Sequence, residues 1–175
     1  MDLSDTREIA ADRMTVWAAI LDPEVLKACI PGCQEMQGSP EEGFTATVVQ
    51  KVGPVKATFK GDVTISDIVE GESLTLTGQG KGGPAGFAKG EAKVSFADTD
   101  SGRTRLTYDV TAKVGGKLAQ LGSRIIDSFA KKLADQFFER FQTGLEPADN
   151  SETPEETSKE DEALKKGWIG RMFSN

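Results

Sequence analysis

Between Val16 and Cys33 the chain starts a short helix twice and stops it twice, which sharply limits the folds open to it. In VWAAILDPEVLKACIPGC, Asp12 stands just ahead of a first helix as its cap, and Val16, Ile20 and Leu21 share one apolar face. Asp22-Pro23 breaks that helix and opens another, because proline is tolerated in a first helical turn. Val25, Leu26 and Ile30 give the second helix its buried side, and Pro31-Gly32 ends it. Two helices this short bury too little to stand alone, so they must lie against something larger.

The rest of the chain supplies it. A first strand is expected over residues 2–10, ahead of the helix pair. Further strands follow over 44–51, 55–69, 74–80, 85–97 and 103–114, divided by turns at Gly53-Pro54, Glu70-Gly71 and 98–102. In the second of these, Val55, Ala57, Phe59, Gly61, Val63 and Ile65 share one face, with a slip in alternation before Ile68. Leu106, Tyr108 and Val110 alternate with Arg105, Thr107 and Asp109, so the last strand has one wet face and the sheet is an antiparallel meander. A single helix then spans 117–143, about 40 Å long. Its apolar stripe is Leu118, Leu121, Ile125, Phe129, Leu133, Phe137 and Phe141. Gly122 interrupts that stripe at a cost of ~1 kcal/mol relative to alanine, either for close packing on a strand or to leave room for a ligand. The layout is α+β and similar to the START-like helix-grip fold, a curved antiparallel sheet wrapped around a long C-terminal helix. Such folds leave an apolar cavity between sheet and helix.

Composition removes several classes of function. At 175 residues the chain fits one domain with a tail, able to bury roughly 70% of its unfolded surface. No run approaches the ~20 apolar residues that span a bilayer, and the N-terminus lacks a signal-peptide pattern, which predicts a cytoplasmic protein. Cys29 and Cys33 are the only cysteines and there is no histidine. Two thiolates alone do not complete a four-ligand zinc site, so the pair reads as reduced, partly buried thiols. The missing histidine also removes the usual general base and every Ser-His or Cys-His nucleophile. No basic stripe exists for nucleic acid.

One motif has the wrong context. Gly78-Gln79-Gly80-Lys81-Gly82-Gly83 matches G-x-G-x-x-G, but a dinucleotide site needs a helix N-terminus after the loop to meet the pyrophosphate. Pro84 and the strand-like AGFAKGEAKVSF follow instead. The glycines at 78, 80, 82, 83, 86 and 90 are better read as a twisted, bulged hairpin or a lip over a cavity mouth.

Val16-Trp17 with Leu21-Asp22-Pro23, Ile30-Pro31-Gly32-Cys33, Val52-Gly53-Pro54-Val55 and Phe59-Lys60-Gly61 occur in that order. The glycine-rich hairpin, Thr104-Arg105-Leu106 with Tyr108, the stretch Gly115 to Gly122 (GGKLAQLG), and Phe137-Phe138 continue the series. Over residues 1 to about 145 the chain thus resembles the CoxG-like family, named for the G subunit of carbon monoxide dehydrogenase, within the START-like, polyketide-cyclase-like (SRPBCC) superfamily. The resemblance implies a non-catalytic accessory protein of a molybdenum hydroxylase of the carbon monoxide or xanthine dehydrogenase type, attached to the inner face of the cytoplasmic membrane. It makes an isoprenoid quinone an attractive cavity ligand, with no covalent cofactor and no metal. Aldehyde, purine and aromatic-ring hydroxylases all stay open as the partner.

Beyond residue 145 the charge pattern changes. Residues 146–163 hold eight acids against Lys159 and read as an acidic, disordered linker. Residues 164–175 carry +3 and regain apolar bulk. As a helix, Leu164, Trp168, Ile169, Met172 and Phe173 would form one side, with Lys165, Lys166 and Arg171 near its edges, suited to anionic headgroups. Docking on the chain's own domain or on a partner protein are the competing readings of this tail. For residues 1–145, the cavity lining is expected from Leu118, Leu121, Gly122, Ile125 and Phe129 of the helix and Phe59, Phe87 and Tyr108 of the sheet. Three functions fit: a carrier of a hydrophobic ligand, a membrane-recruitment adaptor with no ligand, and a cyclase- or dehydratase-like enzyme.

Overall fold

The computed structural model describes residues 1–145, so the linker expected at 146–163 and the tail expected at 164–175 lie outside the described residues. Seven strands form one antiparallel sheet: β1 Asp2–Ile9, β2 Cys33–Ser39, β3 Gly43–Val52, β4 Val55–Val69, β5 Ser73–Lys81, β6 Phe87–Asp98 and β7 Thr104–Gly115. Their spatial order is β1-β7-β6-β5-β4-β3-β2, a meander from β2 to β7 closed by β1 against β7. Helices α1 Arg13–Ile20 and α2 Pro23–Cys29 follow β1, while α3 Lys117–Gln120 and α4 Ser123–Leu145 follow β7. This is the α+β helix-grip arrangement.

The helix pair forms for the reasons its residues suggest. Asp12 caps α1 by accepting from the Thr15 amide at 3.3 Å, and the Thr15 hydroxyl bond holds its carboxyl below the ordinary aspartate value. Asp22 caps α2 by accepting from the Glu24 amide at 2.9 Å, with Pro23 in the first turn. Gly32 reverses the chain at φ +78, where a Cβ would come within 2.1 Å of the Val49 carbonyl oxygen.

Three features differ from the sequence expectation. Strand β2 is absent from the expected set: CQEMQGS has no β-branched residue and no clean alternation. It is an edge strand held by backbone pairing to β3, which side-chain pattern does not report. The glycine-rich hairpin is not bulged, since β5 and β6 pair without interruption from Ser73–Ser95 to Lys81–Phe87 and turn through a 3-10 segment at Gly83–Ala85. Register shifts lie instead between Cys33 and Glu35 in β2 and between Ser66 and Val69 in β4, where Asp67 takes φ +52 and accounts for the slip at Ile68.

The third difference is that the expected 117–143 helix is broken. Gly122, at φ +91, separates α3 from α4. A left-handed residue resets the helical phase, so Ile126 is buried in place of the expected Ile125, and Ile125 is 40% exposed. Steps of four residues also drift by about 40° each around a helix. The buried large side chains along α4 are consequently Ile126, Phe138, Phe141 and Leu145, of which Phe141 is fully buried.

Two clusters hold the helices to the sheet. The larger joins Ile9, Val16, Trp17, Val25, Cys29, Leu74, Val94, Phe96, Leu106 and Tyr108 to Phe138, Phe141 and Leu145. Tyr108 stacks on Phe138 with centroids 5.3 Å apart, and Trp17 meets Phe96 edge-on at 5.3 Å. Arg7 covers Phe138 at 5.1 Å and donates to Tyr108 Oη at 3.1 Å and to Asp135 at 2.7 Å. Burial opposes the Arg7 charge, yet the bonds to Asp135 and Tyr108 keep its pKa above the usual value, and the same guanidinium holds Asp135 below its own. The smaller cluster packs Met1, Val55, Phe59, Val114, Leu121 and Phe129 around Val52, Leu118 and Ile126.

Phe138→Ala is expected to cost about 3–5 kcal/mol in denaturant unfolding, the range for emptying a buried aromatic site. Asp135→Asn should act mainly through pH. Because the folded carboxyl titrates below the unfolded one, its stabilisation is present at neutral pH and lost as pH falls through the lowered value. The variant should therefore narrow the stability gap between pH 7 and acid; an unchanged acid limb would show that the pair contributes nothing.

Candidate ligand-binding cavity

The inner face of the sheet between the two clusters carries very little side-chain bulk. Antiparallel register aligns Ala46, Gly61, Gly80 and Ala88 across four neighbouring strands. The adjacent inner row aligns Val63, Gly78, Gly90 and Ala112. Each of these eight residues is half-buried, although each points to the helix side. A Cβ on Gly80 would meet nothing closer than 4.0 Å, so the space above it is open. Opposite, Phe129 and Leu133 of α4 are likewise half-buried. A strip of Gly and Ala floor thus lies between two packed plugs under one helix.

The inner positions of β4, β5 and β6 are all apolar, from Val55 to Ile65, Leu74 to Gly80 and Ala88 to Phe96. A polar groove of ≈ 280 Å³ lies on the other side of the sheet, among Glu35, Gln37, Thr45, Thr47, Lys60 and Asp62, and Ala46 and Gly61 of the first row also line it. The strip is suited to apolar matter and the outer groove is not. Both cysteines are free thiols: burial pushes the buried Cys29 up to about 12 and raises half-buried Cys33 as well, so neither presents a thiolate at neutral pH.

The expected lining residues separate. Phe59, Leu118, Leu121 and Phe129 converge in the smaller cluster, at one end of the strip. Phe59 lies under the tip of the glycine-rich hairpin, where a Cβ on Gly82 would come within 2.4 Å of its ring, and Ala85 of the same tip is buried. The tip therefore packs down as a lid on that end. Tyr108 is on the inner face, but it is stacked on Phe138 within the larger cluster and 5% exposed, so it is core. Phe87 occupies the outer face in register with Gly115 and covers that glycine, 43% exposed. One step of strand register decides its side. Ile125 sits outside, near the Gly53 turn. A Cβ on Gly122 would meet nothing within 4 Å, so this glycine is a helix break, neither a close contact nor a pocket wall.

The residues that sequence reasoning passes over are the small ones, Ala46, Gly61, Ala88 and Ala112. Their signal is a period of two, Gly78-x-Gly80 and Ala88-x-Gly90-x-Ala92, which puts the missing side chains on one face.

No helix among the described residues is long and apolar enough to cross a membrane. Among solved structures, a conserved protein from Geobacillus kaustophilus is similar at 29% identity, over 82% of this chain and 93% of that one, with a TM-score of 0.76. A START superfamily protein from Mycobacterium smegmatis matches 83% of this chain and 97% of its own at 17% identity and a TM-score of 0.65. A protein from Chromobacterium violaceum matches 83% and 98% at 17% identity and a TM-score of 0.62. The last two share the fold alone. No curated protein matches the chain. The family described as CoxG, the G subunit of carbon monoxide dehydrogenase, matches residues 6–146, most of the chain and all of the sheet-and-helix domain but its first residues, and the protein belongs to that family.

Proposed function

We propose that this protein is a non-catalytic carrier that takes an apolar ligand, an isoprenoid quinone by preference, into the strip under α4 and serves a molybdenum hydroxylase of the carbon monoxide dehydrogenase type. The observation that carries this reading is the Ala46-Gly61-Gly80-Ala88 row. Natural interiors are close-packed, and four aligned positions with no side chain beyond a methyl leave a volume the protein does not fill itself. Placing about 300 Å² of ligand apolar surface there would gain roughly 7 kcal/mol before the costs of association. A flat ring bearing an isoprenoid chain suits a flat apolar floor. Family membership supports the partner, since an oxidative hydroxylase needs an acceptor for its electrons.

Residues 164–175 would then bring the carrier to anionic membrane. Five partly buried apolar side chains and three cations, less the cost of ordering a short segment, amount to a few kcal/mol. That suits reversible visits by a shuttle and not permanent anchoring. A ligand-free adaptor is the second reading, favoured if the strip proves empty.

Solvent extraction and mass spectrometry of the full-length protein, gently purified from its host, should recover near-stoichiometric quinone absent from a control protein. Recovery of another lipid would keep the carrier and discard the quinone, and recovery of nothing would leave the adaptor. Gly80→Leu, at a position with open space and an ordinary backbone, should cut ligand recovery at least about tenfold, because one buried leucine side chain occupies space the ligand needs. An unchanged yield from a folded variant would place the ligand elsewhere. Deleting residues 164–175 should abolish binding to anionic liposomes with circular dichroism unchanged; equal binding by the shortened chain would remove the membrane role.

A further inference from the structure

On the outer face of the sheet, charges are matched across the strands at one end and mismatched at the other. Toward the β6–β7 turn, Lys93 faces Asp109 and Arg105 faces Glu8, pairs of opposite sign. Toward the glycine-rich hairpin the opposed pairs are lysine on lysine: Lys51 with Lys56, Lys60 with Lys81, and Lys89 with Lys113. All six are exposed, and none forms an ion pair among the described residues. Asp62 and Glu91 follow Lys60 and Lys89 along the same face, and Glu35 lies across β3 from Lys60, yet none of these carboxylates pairs with a lysine. Like charges directly opposite on a ladder destabilise it, and this chain has a net charge of -7, so acids to neutralise them were not lacking. An arrangement that costs the fold and is confined to one end suits a partner that supplies the missing anions.

Register makes these lysines one patch with an aromatic centre. Lys60, Lys81 and Phe87 are successive partners across β4, β5 and β6. Lys89 follows Phe87 on the same face of β6, opposite Lys113 of β7. With strands about 4.8 Å apart, the patch from Lys60 to Lys113 is roughly 15 Å wide. Phe87 stands among the cations and is 43% exposed. Lys56 extends the patch along β4, with Thr58 between it and Lys60. The hairpin tip beside Phe87, Gly83-Pro84, is exposed and uncharged.

The kind of cation decides the kind of anion. All six are lysine and none is arginine. Fixed carboxylates on a protein partner favour the planar fork of arginine, and lysine is depleted at protein interfaces. Lysine is a point charge on a flexible stem, able to follow mobile headgroups while an aromatic ring enters the boundary beneath them. We propose that the Lys60–Lys81–Phe87–Lys89–Lys113 patch is a contact of the folded domain with anionic phospholipid, with Phe87 at headgroup level. Contact there sets the hairpin tip, which packs over Phe59 at one end of the strip, against the bilayer. The patch rests on the membrane reading above but consists of the domain's own residues, apart from 164–175.

The full-length chain carrying Phe87→Trp with Trp168→Phe tests it, since the remaining indole, Trp17, is buried. On vesicles of phosphatidylglycerol and brominated phosphatidylcholine, emission from the new indole should shift to the blue and be quenched. Vesicles without phosphatidylglycerol should do neither. Adding Lys81→Glu and Lys89→Glu should abolish the quenching and weaken vesicle binding about twentyfold or more, at roughly fivefold per lysine near an anionic surface. Each of those changes leaves a carboxylate opposite an unaltered lysine, so the melting temperature should not fall. Vesicle binding with no quenching at position 87 would overturn the patch and leave the membrane role to the tail. An absence of vesicle binding would remove both. Quenching that survives the lysine changes would overturn the charge argument. If those changes spare vesicle binding but release a hydroxylase that co-purifies with the unaltered chain, the occupant is a protein and the lipid assignment is wrong.

Discussion

Everything in this molecule is arranged around one helix that the sheet holds firmly at its C-terminal half and touches lightly along its middle. Tyr108 stacked on Phe138, with Phe137 and Phe141 beside it and Arg7 bridging to Asp135, fixes α4 against β1 and β7. Leu118 and Ile126 with Val52 fix the other end. Between them the strands present glycine and alanine. With α4 pinned at two places, the inner residues between the two clusters stay half-buried.

That division of labour separates stability from binding. The aromatic cluster carries the large burial terms, and its residues are core whatever the protein binds. The floor contributes little to stability because it has little to bury. Gly61 illustrates the constraint: the Gln79 carbonyl oxygen would lie 2.6 Å from any Cβ there, so the close approach of β5 forbids a side chain at that position.

The second consequence concerns the two ends of the sheet. The glycine-rich tip is packed on Phe59 and α3, and at the opposite end the Asp67 bulge leaves Ile68 and Val69 in solvent. The two ends of the sheet thus carry different surfaces, joined by β4, which runs the full length between them.

Caps, breakers and alternation are legible directly. Asp12, Asp22-Pro23 and Pro31-Gly32 act within a few residues of themselves, and β4 follows from its own period of two, including the slip that is a bulge in the fold. Membership of the CoxG family is legible in the order of short motifs. Long-range placement is not. Strand β2 exists because β3 offers it a backbone edge. Phe87 is outside because register, counted across two neighbouring strands, puts it there, and Ile125 is outside because one left-handed glycine rephases the helix. The sequence by itself determined most strands, helices and turns, β2 and the helix break at Gly122 apart, since those choices are made by local sterics and periodicity. Only the tertiary structure decided which apolar residues fill the core and where glycines from different strands line up to leave it empty, because facing is a relation between segments and no segment contains it alone.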